Sequence, residues 1–282
     1  MTIHQASAHL KARAEPEAPS MLRMLPCRDG LMVFFPHDFY LGGALEKYGE
    51  YSRIEFDMLA RYVKAGDVVI EVGANMGCHT VPLAKLVGSS GCLVVFEPQR
   101  IIYQMLCGNL AVNGLWNVIA ERAGVGDKLG VAYLPQVDYT RPGNFGAVSL
   151  SSQESGESTP LVSLDQYCAN IKRCDLIKID VEGMELDVLK GATGIIGKFC
   201  PVLYVENDRS DKSEALCKFI RDELQYELYW HTPRLFNPEN FRGDPMNIYG
   251  DVVSINMLCF PKESGVIPDG LQKVGTESGQ LQ

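Results

Sequence analysis

Val69-Ile-Glu-Val-Gly-Ala-Asn-Met-Gly-Cys-His79 decides how this chain is read. The run 68–72 is apolar except for Glu71 and reads as a buried strand. A glycine-rich turn follows, and helical spacing resumes over 80–86. Gly73 and Gly77 allow a sharp turn and a close approach of backbone to a ligand. In open α/β sheets, ligands sit beyond the carboxyl ends of the strands.

A dinucleotide fold asks for G-x-G-x-x-G, so that a helix N-terminus can seat a pyrophosphate. Here the glycines are spaced Gly73-x-x-x-Gly77, and Glu71 precedes them inside the strand. A carboxylate there would repel a diphosphate, whereas the sulfonium and amino end of S-adenosylmethionine would welcome it. The next strand, 92–97, ends in Glu97, a position at which an acid accepts hydrogen bonds from ribose hydroxyls. Ala123-Gly124-Val125-Gly126-Asp127 follows the third strand and either flanks an adenine ring or is an ordinary glycine turn. His79 stands at the start of the first helix, beside the cofactor.

Outward from this core, the chain alternates strand and helix: helix 101–112, weak strands 118–122 and 131–134, helix 164–170, strand 176–180, helix 184–190, strand 202–206, helix 213–224, and strands 227–231 and 252–260. Such alternation implies a parallel sheet with helices on both faces, and the last two strands suit an antiparallel pair. Upstream, Asp29-Gly30 marks a hairpin between 21–25 and 31–35. Ser52 and Glu55 have capping-box spacing ahead of a helix to about residue 64. Tyr51 and Ser52 lie where a preceding segment covers a bound cofactor, although Ser52 also reads as a plain helix cap. Residues 135–160, rich in Gly, Ser, Pro and Glu, form either a lid or a disordered insertion, with a short strand near 147–150. The organisation is therefore a flexible tail over 1–20, a hairpin and helix over 21–65, a catalytic domain over 66–260 and a polar tail over 261–282.

The 282 residues are 46% hydrophobic and 22% charged, with formal net charge −9. No basic cluster suits nucleic acid or anionic membrane, and no apolar run reaches the ~20 residues of a membrane span. Nine cysteines without a C-x-x-C pair read as reduced thiols of a cytoplasmic protein. A homodimer is compatible with all of this.

The motif around Glu71 and the block Leu176-Ile-Lys-Ile-Asp-Val-Glu-Gly-Met-Glu185, followed by Val-Leu-Lys-Gly-Ala192, resemble the FkbM-type methyltransferases. Leu203-Tyr-Val-Glu-Asn207 looks like the next strand of that family. The resemblance implies a Rossmann-like class I methyltransferase fold, a seven-stranded sheet with the last strand inserted antiparallel. It also implies methyl transfer from S-adenosylmethionine to an oxygen of a sugar or secondary metabolite, and it carries cofactor binding onto Glu71, Gly73, Asn75, Gly77 and Glu97. Rival readings are an NAD(P)-dependent oxidoreductase and a non-catalytic S-adenosylmethionine-binding module.

For the chemistry, Asp180 ends the fourth strand, where cofactor and acceptor meet, and Glu182 lies two residues on. The arrangement also resembles catechol-type O-methyltransferases, in which an acid on the fourth strand and an acid–Asn pair on the fifth hold a divalent metal. That gives Asp180, Glu206 and Asn207 as a candidate site for Mg2+ or another hard cation. The Lys base of those enzymes is not carried over, because Gly183 occupies its position. Alternatively, Asp180 and Glu182 bind cofactor or acceptor directly. His231, in Tyr-Trp-His at the end of the sixth strand, is the candidate general base for a hydroxylated acceptor.

Overall fold

In the computed structural model, which describes residues 21–275, the strand at Val68–Val72 (β3) lies inside an eight-stranded sheet. The hairpin strands β1 (Arg23–Cys27) and β2 (Gly30–Phe34) precede it. Strands β4 (Cys92–Phe96), β5 (Val118–Glu121), β9 (Leu176–Ile179) and β10 (Val202–Glu206) run parallel to β3 in the order β5-β4-β3-β9-β10. β12 (Asn256–Pro261) is inserted antiparallel between β10 and β11 (Tyr226–His231). The expected antiparallel last strand is thus present. An eighth strand, β13 (Gln272–Lys273), adds to the β11 edge from a segment whose sequence reads as polar tail. The expected tail over 1–20, and residues 276–282 of the one expected over 261–282, lie outside the described residues.

Alternation along each strand divides the core in two. Ile70, Val72, Ile177, Ile179, Leu203 and Val205 pack with residues of α6 (Glu185–Lys190), α7 (Thr193–Phe199) and α8 (Ser210–Lys218). Val69, Leu93, Val95, Leu176 and Tyr204 pack on the opposite face. Their partners are α2 (Arg53–Leu59), α3 (Thr80–Val87) and α4 (Arg100–Val112). Glu71 and Lys178 share the parity of this second set, so two charged side chains enter a helix-covered face.

Two helices escape a reading by pattern, α1 (Leu41–Lys47) and α7, because glycines dilute their propensity. Gly42 is required: a Cβ there would stand 1.9 Å from the Phe35 carbonyl oxygen. The short α5 (Leu164–Tyr167) and the early end of α2 at Leu59 also fall short of the expected helices. Ser52 does not cap α2 in the usual way. It adopts φ 44°, and its hydroxyl donates to the Glu55 carboxylate rather than accepting a backbone N–H.

No strand forms at 147–150. Instead β7 (Gly130–Leu134) pairs with β8 (Glu157–Val162), and β8 pairs with the two-residue β6 (Gly124–Val125). Pro160 hides β8 in the sequence. It is tolerated because β6 reaches only Leu161 and Val162, leaving no strand to ask for a hydrogen bond from its nitrogen on that side. The intervening loop is ordered. Asp38 accepts backbone N–H groups from Tyr40, Gly42 and Phe145, and Gln99 donates to the Phe145 carbonyl. Phe35, Tyr139 and Phe145 pack ring against ring.

The N-terminal hairpin docks through Asn109 of α4 and Asn113, the residue that caps its carboxyl end. Asn109 accepts from Val33 N at 2.7 Å and donates to Val33 O at 3.0 Å, and it also donates to Met76 O at 2.8 Å. Asn113 treats Leu31 the same way, at 3.0 and 2.8 Å. Side-chain amides thus imitate a neighbouring strand. Asn109→Ala removes the partner of Val33 N, Val33 O and the buried Met76 O. We expect a loss of about 2–4 kcal/mol in urea unfolding, with Asn109→Asp failing to restore it because it lacks the two donors.

Candidate active site

The carboxyl ends of β3, β4, β9 and β10, with the segment after β5, open onto a cavity of about 270 Å3. This is near the lower end of the ~300–1,000 Å3 range of ligand pockets. Across the sheet edge its lining runs from Ala123, Gly124 and Val125, past Glu97, to Glu71 and Gly73, then to Asp180 and Glu206. Val148 and Leu150 of the ordered loop cover one side. Tyr40, Leu235 and Val252 contribute to the other.

The glycine turn is shaped by one close approach. A Cβ on residue 73, whose φ is +87°, would stand 1.8 Å from the Asp180 carbonyl oxygen. Only glycine lets β3 and β9 end side by side there. The turn's amides are all used internally: Gly73 N and Ala74 N donate to Phe96 O, and Gly77 N to Ala74 O. Asn75 N donates to Glu97 Oε2, and Met76 N to Asn75 Oδ1. No row of free N–H groups is left over 73–77 to seat a diphosphate.

Carboxylates dominate the floor. Glu97 accepts from Asn75 N at 3.0 Å and Gln99 N at 2.9 Å; burial pushes it up to about 7 despite these bonds. Glu71 accepts from Thr80 Oγ1 at 2.6 Å and is raised by burial against the opposing pull of Lys178. Lys178, its side chain only 2% exposed, lies 3.0 Å from Asp180 Oδ2 and 3.9 Å from Glu71 Oε1. Burial disfavours its charge, but Asp180 and Glu71 more than compensate and raise it. Asp180 shows the mirror image: burial would raise it, and the ammonium holds it below the usual carboxylate range. Its side chain keeps 39% exposure toward the cavity. Glu206 is pushed up to about 11 by burial and then by the Asp180 charge, which favours its protonated form at neutral pH. Glu182, at φ 55°, pairs with Arg209.

The cavity brings together Glu71, Gly73, Asn75, His79, Glu97, Gly124, Asp180, Glu182, Glu206 and Tyr51 from the expected residues. Four others stand elsewhere. Gly77 packs against α4, where a Cβ would meet Leu106 at 2.9 Å. Ser52 lies behind the wall and fixes Glu55. His231 is not a lining residue: it is buried, and its Nδ1 is 2.8 Å from the Tyr204 hydroxyl. Burial lowers its basicity. The general-base reading of His231 is therefore corrected to an interior contact. Asn207 follows Glu206 in an extended chain and so points to the opposite face. Its amide donates toward Cys217 Sγ at 3.5 Å and Met257 Sδ at 3.3 Å. The Asp180–Glu206–Asn207 metal triad is not assembled, and among the described residues no group of three or more His, Cys, Asp and Glu is placed to hold a metal.

Several lining residues had no place in the sequence reading. Glu55 was hidden by its capping-box spacing. Lys178 did leave a signal, a charge inside the apolar Leu-Ile-Lys-Ile strand. Val252, Val253 and Ser254 line the cavity mouth and form no named strand, so β12 starts four residues later than 252.

A parallel sheet of this strand order, with an antiparallel strand inserted next to its last partner, defines a class I methyltransferase fold. The family profile described as the methyltransferase FkbM domain matches residues 71–229, more than half of the sequence. The chain belongs to the FkbM methyltransferase domain family. Methyltransferase 1 of Beauveria bassiana is 25% identical over 147 residues, covering 44% of this chain and 57% of that protein. Methyltransferase sdnD of Sordaria araneosa is 28% identical over 158 residues, covering 44% and 59%. The matches thus span 57% and 59% of the length of these curated relatives. Among solved structures, the FkbM methyltransferase of Methylobacillus flagellatus KT aligns with TM-score 0.48 at 16% identity over 70% of this chain and 44% of its own. A SAM-dependent O-methyltransferase of Thermotoga maritima aligns with TM-score 0.47 at 14% identity over 85% and 77%. No helix among the described residues is long and apolar enough to cross a membrane.

Lys178→Met removes the one ammonium among these acids. Breaking a buried ion pair from one side costs about 3–5 kcal/mol. The deficit should be greatest above neutral pH, where Glu71 and Asp180 must ionise unaided, and should narrow on acidification. Chemical denaturation at several pH values checks both the size and the trend.

Proposed function

We propose that this chain transfers a methyl group from S-adenosylmethionine to a hydroxyl of a small acceptor, such as a sugar or a secondary-metabolite-like molecule. The observation that carries the reading is the glycine turn: its amides are already bonded within the protein, and carboxylates flank it on both sides. That arrangement favours a cationic nucleoside over a dinucleotide.

The residues fit such a ligand end to end. Ala123, Val125, Val148 and Leu150 offer an apolar slot for the base. Glu97 keeps acceptor capacity for the ribose hydroxyls after taking two backbone bonds. Glu71 and Asp180 place negative charge beside Gly73, where a sulfonium would be stabilised. When bound, S-adenosylmethionine supplies an electrophilic methyl group. The protein's own part is positioning, which contributes up to ~7–11 kcal/mol in well-oriented reactions. Asp180, kept ionised by Lys178 and exposed to the cavity, accepts the hydrogen bond of the acceptor hydroxyl, orients its oxygen and takes up its proton as the methyl group passes from sulfur to that oxygen, with S-adenosylhomocysteine as the leaving group. Glu182 and the protonated Glu206 border the same end.

Calorimetry should show S-adenosylhomocysteine binding at micromolar levels to the wild type, and Glu97→Ala should weaken it at least about tenfold by removing charge-assisted bonds. Wild-type protein that ignores this ligand would refute the reading.

Glu97 also sets a pH dependence. Its buried carboxyl holds a proton up to about 7, while ribose hydroxyls donate to the ionised form. Binding therefore releases a proton, so affinity should rise from about pH 6 to about pH 8 and then level off. Glu97→Gln should lose that slope, and a flat profile in the wild type would argue against this contact.

A further inference from the structure

The loop between β7 and β8 closes one side of the cavity, and its residues 146–150 are held unlike the rest. Phe145, just before them, is fixed at both its amide and its carbonyl. Its N donates to the Asp38 carboxylate at 2.9 Å, and its O accepts from Gln99 Nε2 at 2.9 Å. Ser151, just after them, exchanges two backbone hydrogen bonds with Tyr133 of β7, at 2.8 and 2.9 Å. Between these two pins the backbone bonds are local: Gly146 N and Ala147 N donate to Asn144 Oδ1, and Val148 N donates to Gly146 O. Among the described residues, one hydrogen bond ties the span to the rest of the fold, from Ser149 Oγ to Glu182 O at 2.9 Å. Exposure alternates along the span. Ala147 and Ser149 are exposed, while Val148 and Leu150 are half-buried and line the cavity. Neither Val148 nor Leu150 belongs to a hydrophobic core cluster, so their apolar surface is kept for the cavity.

We propose that residues 146–150 are a strap that swings on the pins at Phe145 and Ser151 to admit and release the nucleoside, with the Ser149–Glu182 hydrogen bond as the clasp that holds it shut; this rests on the cofactor reading above. A base in the apolar slot lies beneath Val148 and Leu150, and it passes when they lift. A segment with no share in a core cluster and one bond to the fold belongs to the low-stability end of a structure, from which active-site lids are drawn. The post that receives the clasp is firm by contrast. Glu182 and Gly183 take positive φ, 55° and 95°, a conformation uncommon for a residue other than glycine. Gly183 N donates to Glu185 Oε1 at 2.9 Å, Lys212 Nζ donates to Gly183 O at 2.6 Å, and the Glu182 carboxylate pairs with Arg209. A loose span thus closes onto a fixed carbonyl, at the acceptor end of the cavity.

The test uses the full chain and S-adenosylhomocysteine, with association and dissociation rates read by stopped-flow mixing. The clasp is made within the protein whether or not the ligand is bound, so Ser149→Ala favours the lifted strap in both states. Both rates should therefore rise together by about 2- to 10-fold, the loss of one hydrogen bond, while Kd stays within about twofold of the wild type. Ser149→Thr, which keeps the hydroxyl, should return both rates to the wild-type values. Hydrogen exchange gives a second reading: in Ser149→Ala the amides of Phe145 and Ser151 should stay as protected as in the wild type, which reports that the pins hold and the chain is folded. The strap is overturned if Ser149→Ala leaves both rates unchanged, or if dissociation alone quickens, as the loss of a fixed wall contact would produce. It is also overturned if Ser149→Thr behaves like Ser149→Ala, or if the pins lose their protection. Each of these outcomes leaves the cofactor reading standing. Wild-type protein that does not bind S-adenosylhomocysteine ends the cofactor reading and the strap together.

Discussion

The site depends on one contact between backbones. Where β3 and β9 end, the Asp180 carbonyl oxygen occupies the place a side chain at residue 73 would need. Because residue 73 is glycine, the two strands finish level, and Glu71, Lys178 and Asp180 meet in the floor of the cavity. A single ammonium then favours the ionised forms of Asp180 and Glu71 against their burial. Lys178, 3.0 Å from Asp180, holds that carboxyl low, and burial together with the Asp180 charge raises Glu206. Burial raises Glu97 and Glu206, while the buried lysine holds Asp180 low between them.

Much of this was legible in the linear sequence. Strand–helix alternation, the acid before Gly73 and the acid that follows β4 are local patterns, and local patterns survive folding. The parity of a strand was also available, and it explains the failure at Asn207: consecutive residues of an extended segment point to opposite faces, so Glu206 and Asn207 cannot both face one ion. His231 could not be judged locally. Its fate is set by the Tyr204 hydroxyl on β10, a strand placed next to β12 rather than beside β11. Glu55 looked complete as half of a capping box, because spacing does not reveal that the Ser52 hydroxyl would turn to the carboxylate instead of the backbone. Pro160 concealed β8, since its tolerance depends on where β6 begins.

The family-matched span, 71–229, supplies the cavity floor and the walls around Glu97. The opposite wall comes from outside it: Tyr40, Tyr51 and Glu55 before, Leu235, Val252 and Val253 after. These outer segments are held to one another by polar contacts. Glu50 accepts from Asn237 Nδ2 and Phe241 N and pairs with Arg28, and the Tyr48 hydroxyl bridges Met246 O and Ile248 N. The cavity is thus closed jointly by the family-matched span and by the segments on either side of it.

The most direct measurement is a crystal structure of the full chain grown with S-adenosylhomocysteine. Density should lie along the carboxyl edge of the sheet, with the ribose hydroxyls on Glu97, the sulfur beside Gly73 and Asp180, and the adenine between Val125 and Leu150. Ligand density seated elsewhere, or a side chain filling the space above Gly73, would contradict the account.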